Sequence, residues 1–210
     1  MSVPFPSMKR PLVAILRGIK PEETEAIVGV LMEAGMTAIE IPLNSPDPFR
    51  SIAMAVKQAP AGVLIGAGTV LTMADVDRLN DVGGRLMVSP NVDTEVLARA
   101  HQHGMVTMPG VFSPTEALLA ARCGASSLKF FPASVLGASG IAAIRAVLPS
   151  GVMIAAVGGV SDQNFAEYIT GGVTAFGLGS SLYKPGMSAA DVAARAKATV
   201  AAYDRAIAKK

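Results

Sequence analysis

Short apolar runs alternate with amphipathic, alanine-rich segments along the chain. Each run consists of β-branched or small residues and ends at Gly, Pro, Asn or Ser, and the segment after it has the apolar spacing of a helix. Eight runs are present, with starts 20 to 27 residues apart, which leaves room for one strand, one helix and two short loops. The runs are Leu12–Leu16, Thr37–Ile41, Val63–Ala67, Arg85–Ser89, Met105–Met108, Ser126–Phe130, Met153–Val157 and Thr174–Leu178.

Continuous apolar strands that alternate with helices are typical of a parallel sheet covered by helices on both faces. Eight such units predict a (β/α)8 TIM barrel, and 210 residues lie at the short end of that fold's size range. An open doubly wound sheet is the alternative. We expect one domain over residues 1–210, with Met1–Arg10 as a loose N-terminal arm.

The composition excludes several classes of protein. Hydrophobic residues make up 51% and charged residues 16%, which excludes disorder for most of the length. The mean hydropathy is +0.46, yet no stretch approaches the roughly 20 apolar residues of a membrane span, and we expect no signal peptide. The net charge of +2 and the lack of Trp and of long basic runs argue against nucleic-acid binding. The single Cys123 fits a reducing compartment, so we expect a cytoplasmic protein.

Three ionisable residues lie at the ends of apolar runs, where charges are rare: Arg17, Glu40 and Lys129. Strand alternation places Glu40 on one face with Ala38, and Lys129 on one face with Ser127, while bulky apolar residues take the other face. In a barrel the bulky face packs on the helices, so the charges point inward at the end where barrel active sites form. The alternative is that all three are structural residues that reach solvent or pair with one another.

These residue types predict imine chemistry. Burial and a neighbouring cation such as Arg17 both favour the neutral, nucleophilic amine of Lys129, which can attack a carbonyl and form a Schiff base. Glu40 is the carboxylate available to shuttle protons, and Arg17 suits a substrate carboxylate. Together they indicate an aldolase that acts on a 2-oxo acid.

Two glycine-rich turns close the seventh and eighth runs, at 157–161 and 177–181. Glycine lets backbone N–H groups approach an anion, and the loops after strands seven and eight bind phosphate in many barrels. We therefore expect a phosphate site there, although the glycines could merely form tight turns. No metal is expected: His101 and His103 lie two residues apart and do not share a helix face.

The motifs resemble a known family over nearly the whole chain, from about Arg10 to the final helix. They are Ala14–Gly18, Ile39–Ile41, Ile65–Val70, Ser89–Asn91, Leu128–Pro132 and Val157–Val160. In order and spacing they resemble the class I aldolases of the 2-keto-3-deoxy-6-phosphogluconate (KDPG) type.

This resemblance implies a (β/α)8 barrel, a homotrimer, and a reaction that needs no metal or cofactor. It implies that Lys129 is the Schiff-base residue and Glu40 the acid/base. The residues implied to bind substrate are Arg17 and Thr69 for the pyruvate part, and Gly158, Gly159, Gly179 and Ser180 for the phosphate.

Two departures narrow the substrate. After Glu40 the gluconate-type enzymes look like Leu-Arg-Thr, whereas this chain has Leu43-Asn44-Ser45, which is similar to the branch that acts on the C4 epimer, 2-dehydro-3-deoxy-6-phosphogalactonate. Gluconate-type enzymes also tend to carry a hydroxyl residue at the position of Val157, and an apolar side chain there cannot bond the C4 hydroxyl.

The expected activity is reversible cleavage of the galactonate epimer to pyruvate and D-glyceraldehyde 3-phosphate, in galactonate or galactose catabolism. One alternative is the same chemistry on the gluconate epimer or on 4-hydroxy-2-oxoglutarate. Alternatives of other classes are a non-catalytic phosphosugar-binding barrel and a metal-dependent aldolase.

Overall fold

The computed structural model describes residues 3–208; Met1, Ser2, Lys209 and Lys210 lie outside the described residues. Its strands are β1 (Leu12–Ile15), β2 (Ala38–Pro42), β3 (Leu64–Gly68), β4 (Leu86–Val88), β5 (Val106–Met108), β6 (Gly110–Val111), β7 (Leu128–Phe130), β8 (Ile154–Val157) and β9 (Ala175–Leu178). They form one parallel sheet in the order β5-β4-β3-β2-β1-β9-β8-β7-β6.

The sheet closes into a barrel through Pro109. β5 pairs with β4 and β6 pairs with β7, so the segments on either side of Pro109 are two halves of one strand. Proline has no N–H to donate and interrupts the ladder, but its carbonyl accepts from the backbone N–H of Lys129 at 3.0 Å. The eight runs are therefore eight barrel strands, the fifth of which continues past its predicted end at Met108. The (β/α)8 barrel is confirmed, and the open sheet is wrong.

A helix follows each strand of the barrel. The helices are α1 (Pro21–Glu33), α2 (Pro48–Gln58), α3 (Met73–Asp81), α4 (Thr94–Gln102), α5 (Pro114–Arg122), α6 (Ala133–Arg145), α7 (Phe165–Thr170) and α8 (Ala189–Ile207). Several starts are fixed locally: the side chains of Thr72 and Ser113 each accept a hydrogen bond from the backbone N–H three residues on. Within residues 3–208, none of the helices combines the length and apolar character needed to cross a membrane.

Strand alternation divides the side chains between two cores. Ile39, Ile41, Leu128 and Phe130 join the core between barrel and helices. The barrel interior is filled by a second cluster: Val13, Ala38, Leu86, Val88, Val106, Met108, Ala155 and Ala175. Because successive strand residues point to opposite faces, Glu40 and Lys129 face the interior, toward the carboxyl end of the barrel.

The other end of the barrel, formed by the N-termini of the strands, is its floor. Val3, Phe5 and Met8 pack against the interior cluster there, and the hydroxyl of Ser126 donates a hydrogen bond to the carbonyl of Val3. The described part of Met1–Arg10 is therefore an anchored plug, and the expectation of a loose arm is wrong because its apolar side chains find a partner in the floor.

Candidate active site

A cavity of about 350 Å³ opens at the carboxyl ends of the strands, where the active sites of (β/α)8 enzymes lie. The structure brings together around it all nine residues that the sequence singled out: Arg17, Glu40, Thr69, Lys129, Val157, Gly158, Gly159, Gly179 and Ser180. They come from six strands and the loops that follow them, so only the closed barrel makes them neighbours.

The side chain of Lys129 extends from β7 into this cavity. It is 7% exposed and lies in register between Gly110 of β6 and Ala155 of β8, whose small size leaves room for it. Its Nζ donates a hydrogen bond to the backbone carbonyl of Ser89 at 3.0 Å and lies 4.8 Å from the centroid of the Phe131 ring. The amine is thus held at the cavity wall by one hydrogen bond to protein, which leaves it open to a ligand.

Glu40 lies on β2, in register between Ile15 of β1 and Gly66 of β3. It is 2% exposed, and its Oε2 has no hydrogen-bond partner among residues 3–208. Buried polar atoms are nearly always hydrogen-bonded, so an unpaired carboxylate oxygen on a cavity is a site where a ligand or its protons can bind.

Burial disfavours the charged forms of both Glu40 and Lys129. It raises the pKa of Glu40 from 4.5 to about 7, although the positive charges of Lys129 and Arg17 oppose the rise. It lowers the pKa of Lys129 from 10.5 to about 8; the Glu40 charge opposes this fall and the Arg17 charge adds to it. Near pH 7 to 8 the pair therefore holds one proton, which makes a neutral amine beside a protonated carboxyl accessible.

Arg17 lies on the cavity rim, just past the end of β1, and it is exposed. Its Nη1 donates a hydrogen bond to Oδ1 of Asn44 at 2.6 Å. A guanidinium carries five N–H donors, so this bond leaves donors for a substrate carboxylate at the mouth.

Two glycine turns form the opposite part of the rim. Gly158 and Gly159 have φ angles of +90° and +79°, a left-handed conformation that side chains rarely adopt. A Cβ at Gly159 would also lie 2.5 Å from the Cβ of Ser134. The hydroxyl of Ser181 donates to the carbonyl of Val160 at 3.0 Å, which ties the turn after β8 to the turn after β9.

Thr69 follows β3 with a φ of +57°. A β-branched residue in the left-handed region is strained, at a cost of about 1–3 kcal/mol, and such strain concentrates at functional sites. Its place on the cavity fits that pattern.

Seven further residues line the cavity. Four of them belong to the two turns that were predicted to bind phosphate: Val160, Ser161, Gly177 and Ser181. The sequence analysis gave no site role to the other three, Ile15, Pro90 and Phe131. Strand alternation could have found two of these three, since Ile15 lies two residues before Arg17 and Phe131 two residues after Lys129. Pro90 carries no such signal, because a loop follows no fixed period.

The two histidines have partners away from this cavity. His103 Nε2 lies 2.7 Å from Oδ1 of Asp77, and His101 Nε2 lies 3.3 Å from Oγ1 of Thr107. Among residues 3–208, no three His, Cys, Asp or Glu side chains come together as a metal site requires.

Known proteins match this chain over nearly its full length. A relative from Rhizobium meliloti (strain 1021), a probable 2-dehydro-3-deoxy-6-phosphogalactonate aldolase, is 73% identical over 202 residues, covering 96% of this chain and 95% of the relative. The 2-dehydro-3-deoxy-6-phosphogalactonate aldolase of Escherichia coli (strain K12) is 47% identical over 199 residues, covering 95% of this chain and 97% of the relative.

The fold and the family agree with these relatives. A solved structure described as native KDPGal superposes with a TM-score of 0.95 at 46% identity, covering 98% of this chain and 100% of that chain. The family model for KDPG and KHG aldolases matches residues 7–199. This chain therefore belongs to the KDPG and KHG aldolase family.

Proposed function

We propose that this chain reversibly cleaves 2-dehydro-3-deoxy-6-phosphogalactonate into pyruvate and D-glyceraldehyde 3-phosphate through a Schiff base on Lys129. The observation that carries the proposal is the buried amine of Lys129, which shares one cavity with the Glu40 carboxyl and the two glycine turns. The names of the 73% and 47% identical relatives support this choice of substrate.

The first step is attack of neutral Lys129 on the C2 carbonyl. The N–C2 bond forms, and the carbinolamine hydroxyl leaves as water after it takes a proton from Glu40. Arg17 at the rim pairs with the substrate carboxylate, and Thr69 contacts the pyruvate part. The lowered pKa of Lys129 supplies the nucleophile near neutral pH, where an ordinary lysine is almost fully protonated.

The second step breaks the C3–C4 bond. Glu40, now ionised, takes the proton of the C4 hydroxyl directly or through a water, and the bond's electron pair moves into the iminium to give an enamine. The aldehyde product leaves, C3 of the enamine takes up the proton that Glu40 holds, and addition of water to the resulting iminium releases pyruvate and restores the amine. A carboxyl with a pKa near 7 suits both donation and acceptance of the proton.

The phosphate of the substrate binds at the glycine turns. Gly158, Gly159 and Gly179 have no side chain to keep an anion away from the backbone N–H groups, and Ser180 adds a hydroxyl. The substrate then spans the cavity, with its carboxylate near Arg17 and its phosphate at the far rim.

Reduction with borohydride tests the mechanism. The protein is incubated with pyruvate and sodium borohydride, and peptides are mapped by mass. We expect a reduced pyruvate adduct on Lys129 alone, and the same treatment with each epimeric sugar gives the same adduct at rates that rank the substrates. An unmodified Lys129 would contradict the mechanism and favour a non-catalytic phosphosugar-binding barrel. Inhibition by EDTA would instead favour a metal-dependent aldolase.

Val157 is proposed to set the choice between C4 epimers, because it is buried on the cavity and cannot hydrogen-bond a hydroxyl. We expect Val157→Thr to shift the kcat/KM ratio toward the gluconate epimer by about tenfold or more. Val157→Ala is the control for size: an equal shift in this variant would contradict the role of the hydroxyl.

A preference of the wild type for unphosphorylated 4-hydroxy-2-oxoglutarate would contradict the phosphate site.

We also propose that the chain assembles as a homotrimer, as the family resemblance implies. Leu71, Met73 and Phe112 are 42% to 50% exposed, and a covered surface would remove this apolar area from water. Light scattering should give three times 21.5 kDa, and a monomer mass would contradict the proposal.

A further inference from the structure

The carboxyl of Glu40 lies against a part of β3 that presents no side chain to the barrel interior. The two interior positions of β3 nearest to it are Gly66, its register partner, and Gly68. A Cβ would overlap neighbouring atoms at both positions, but the atoms differ. Those at one position belong mainly to the barrel backbone, and those at the other belong to the candidate active site.

Gly66 is required by the barrel. A Cβ there would overlap the backbone carbonyl of Leu86 on the neighbouring strand, and backbone cannot move aside cheaply. At Gly68 the three nearest atoms belong to a side chain, that of Glu40. A Cβ at Gly68 would lie within 2.5 Å of Oε1, Oε2 and Cδ of Glu40, closer than the 3.0 Å that real Cβ contacts respect.

We propose that Gly68 is a positioning residue for Glu40. Because residue 68 has no side chain, the Glu40 carboxyl can occupy the space next to it, and this fixes where the carboxyl meets the substrate. This inference rests on the proposed role of Glu40 as the acid/base. Both carboxylate oxygens contact the space above Gly68, so a methyl group there displaces the whole carboxyl group, whichever oxygen carries the proton.

Gly68→Ala is the first test. We expect kcat to fall by about 10²-fold, the cost of moving a catalytic group by about 1 Å, with KM changed less than about threefold. The carboxyl would move away from β3 and so change its distance to Lys129, and the pH profile of kcat should change with it, which a merely structural role of residue 68 would not cause. The groups that act on this carboxyl are Lys129 and Arg17, and neither is altered.

Gly29→Ala in α1 is the matched control, because a Cβ there has no neighbour within 4 Å; its activity should equal that of the wild type. Gly68→Ala should unfold cooperatively near the wild-type temperature. A Gly68→Ala protein that fails to fold would overturn the inference, because residue 68 would then serve the barrel and not Glu40.

The double variant with Glu40→Asp gives the decisive comparison. Aspartate is shorter by one methylene and leaves room for a Cβ at residue 68, so we expect kcat of Gly68→Ala with Glu40→Asp to be no lower than that of Glu40→Asp alone. Losses that multiply, or a Gly68→Ala enzyme with wild-type kcat and pH profile, would overturn the inference. A wild type that forms no reduced adduct on Lys129 would overturn the proposed function instead, so the two failures are distinguishable.

Discussion

Replacement of Lys129 by methionine is expected to lower kcat by roughly 10⁵-fold and to abolish the borohydride adduct. The side chain keeps its length and apolar stem but loses the nucleophile, and removal of a covalent catalyst costs about this much in other enzymes. Steady-state pyruvate release measures the first effect, and intact-protein mass after reduction measures the second. Lys57→Met on α2 removes an exposed lysine and should leave both readouts unchanged.

The stability of Lys129→Met should depend on pH differently from that of the wild type, and a cooperative unfolding transition separates an inactive protein from an unfolded one. The pKa of Lys129 is lower in the folded state, about 8 against 10.5, so the unfolded chain binds more protons between these values and stability rises with pH across that window. Below pH 8 the buried charge costs stability. We therefore expect Lys129→Met to lose the rise in the free energy of unfolding between pH 8 and 10.5, and an unchanged rise would contradict this account of its burial.

Replacement of Glu40 by glutamine is expected to lower kcat by 10²- to 10⁴-fold, the usual contribution of a general acid/base. Glutamine keeps the shape of the side chain, so Lys129 stays in place and the borohydride adduct should still form, but slowly. Single-turnover trapping separates this loss from that of the Lys129 variant. Activity within about threefold of the wild type would contradict the proposed role of Glu40.

The pH profiles of kcat/KM for the wild type and for Glu40→Gln should also differ in shape. In the wild type the productive pair holds one proton, so kcat/KM should be bell-shaped, with limbs near the pKa values of about 7 and 8. The Glu40 charge raises the pKa of Lys129, so its removal lowers that pKa below about 8. The kcat/KM of Glu40→Gln should therefore show a single rising limb, with a pKa below about 8, and then a plateau without a fall on the alkaline side.

The sequence predicted the barrel because a parallel strand buried on both faces leaves a local mark: an apolar run of fixed spacing between helices. It also predicted Glu40 and Lys129, since a charge in such a run has few explanations. The same reasoning stopped at Pro109, where the fifth strand continues after an interruption that looks like an end.

Contacts between distant parts of the chain left no mark that one sequence could show. The carbonyl of Ser89 that binds the Lys129 amine is a backbone group, and every residue has one. In the sequence alone Gly68 looks like a glycine of a turn, and only the structure shows its contact with Glu40. The strained φ of Thr69 depends on the loop around it. The plug formed by Val3, Phe5 and Met8 was missed because three apolar residues without a period predict no element.

That plug has a kinetic consequence. The interior cluster and the plug fill the barrel between Lys129 and the floor, so we expect substrate, products and the water exchanged at Lys129 to pass through the cavity at the carboxyl ends of the strands. Under the proposed reaction, glyceraldehyde 3-phosphate must depart before the enamine left behind it can be hydrolysed, and pyruvate leaves last. We therefore expect an ordered release of products, in which pyruvate competes with the sugar for the free enzyme and the aldehyde does not.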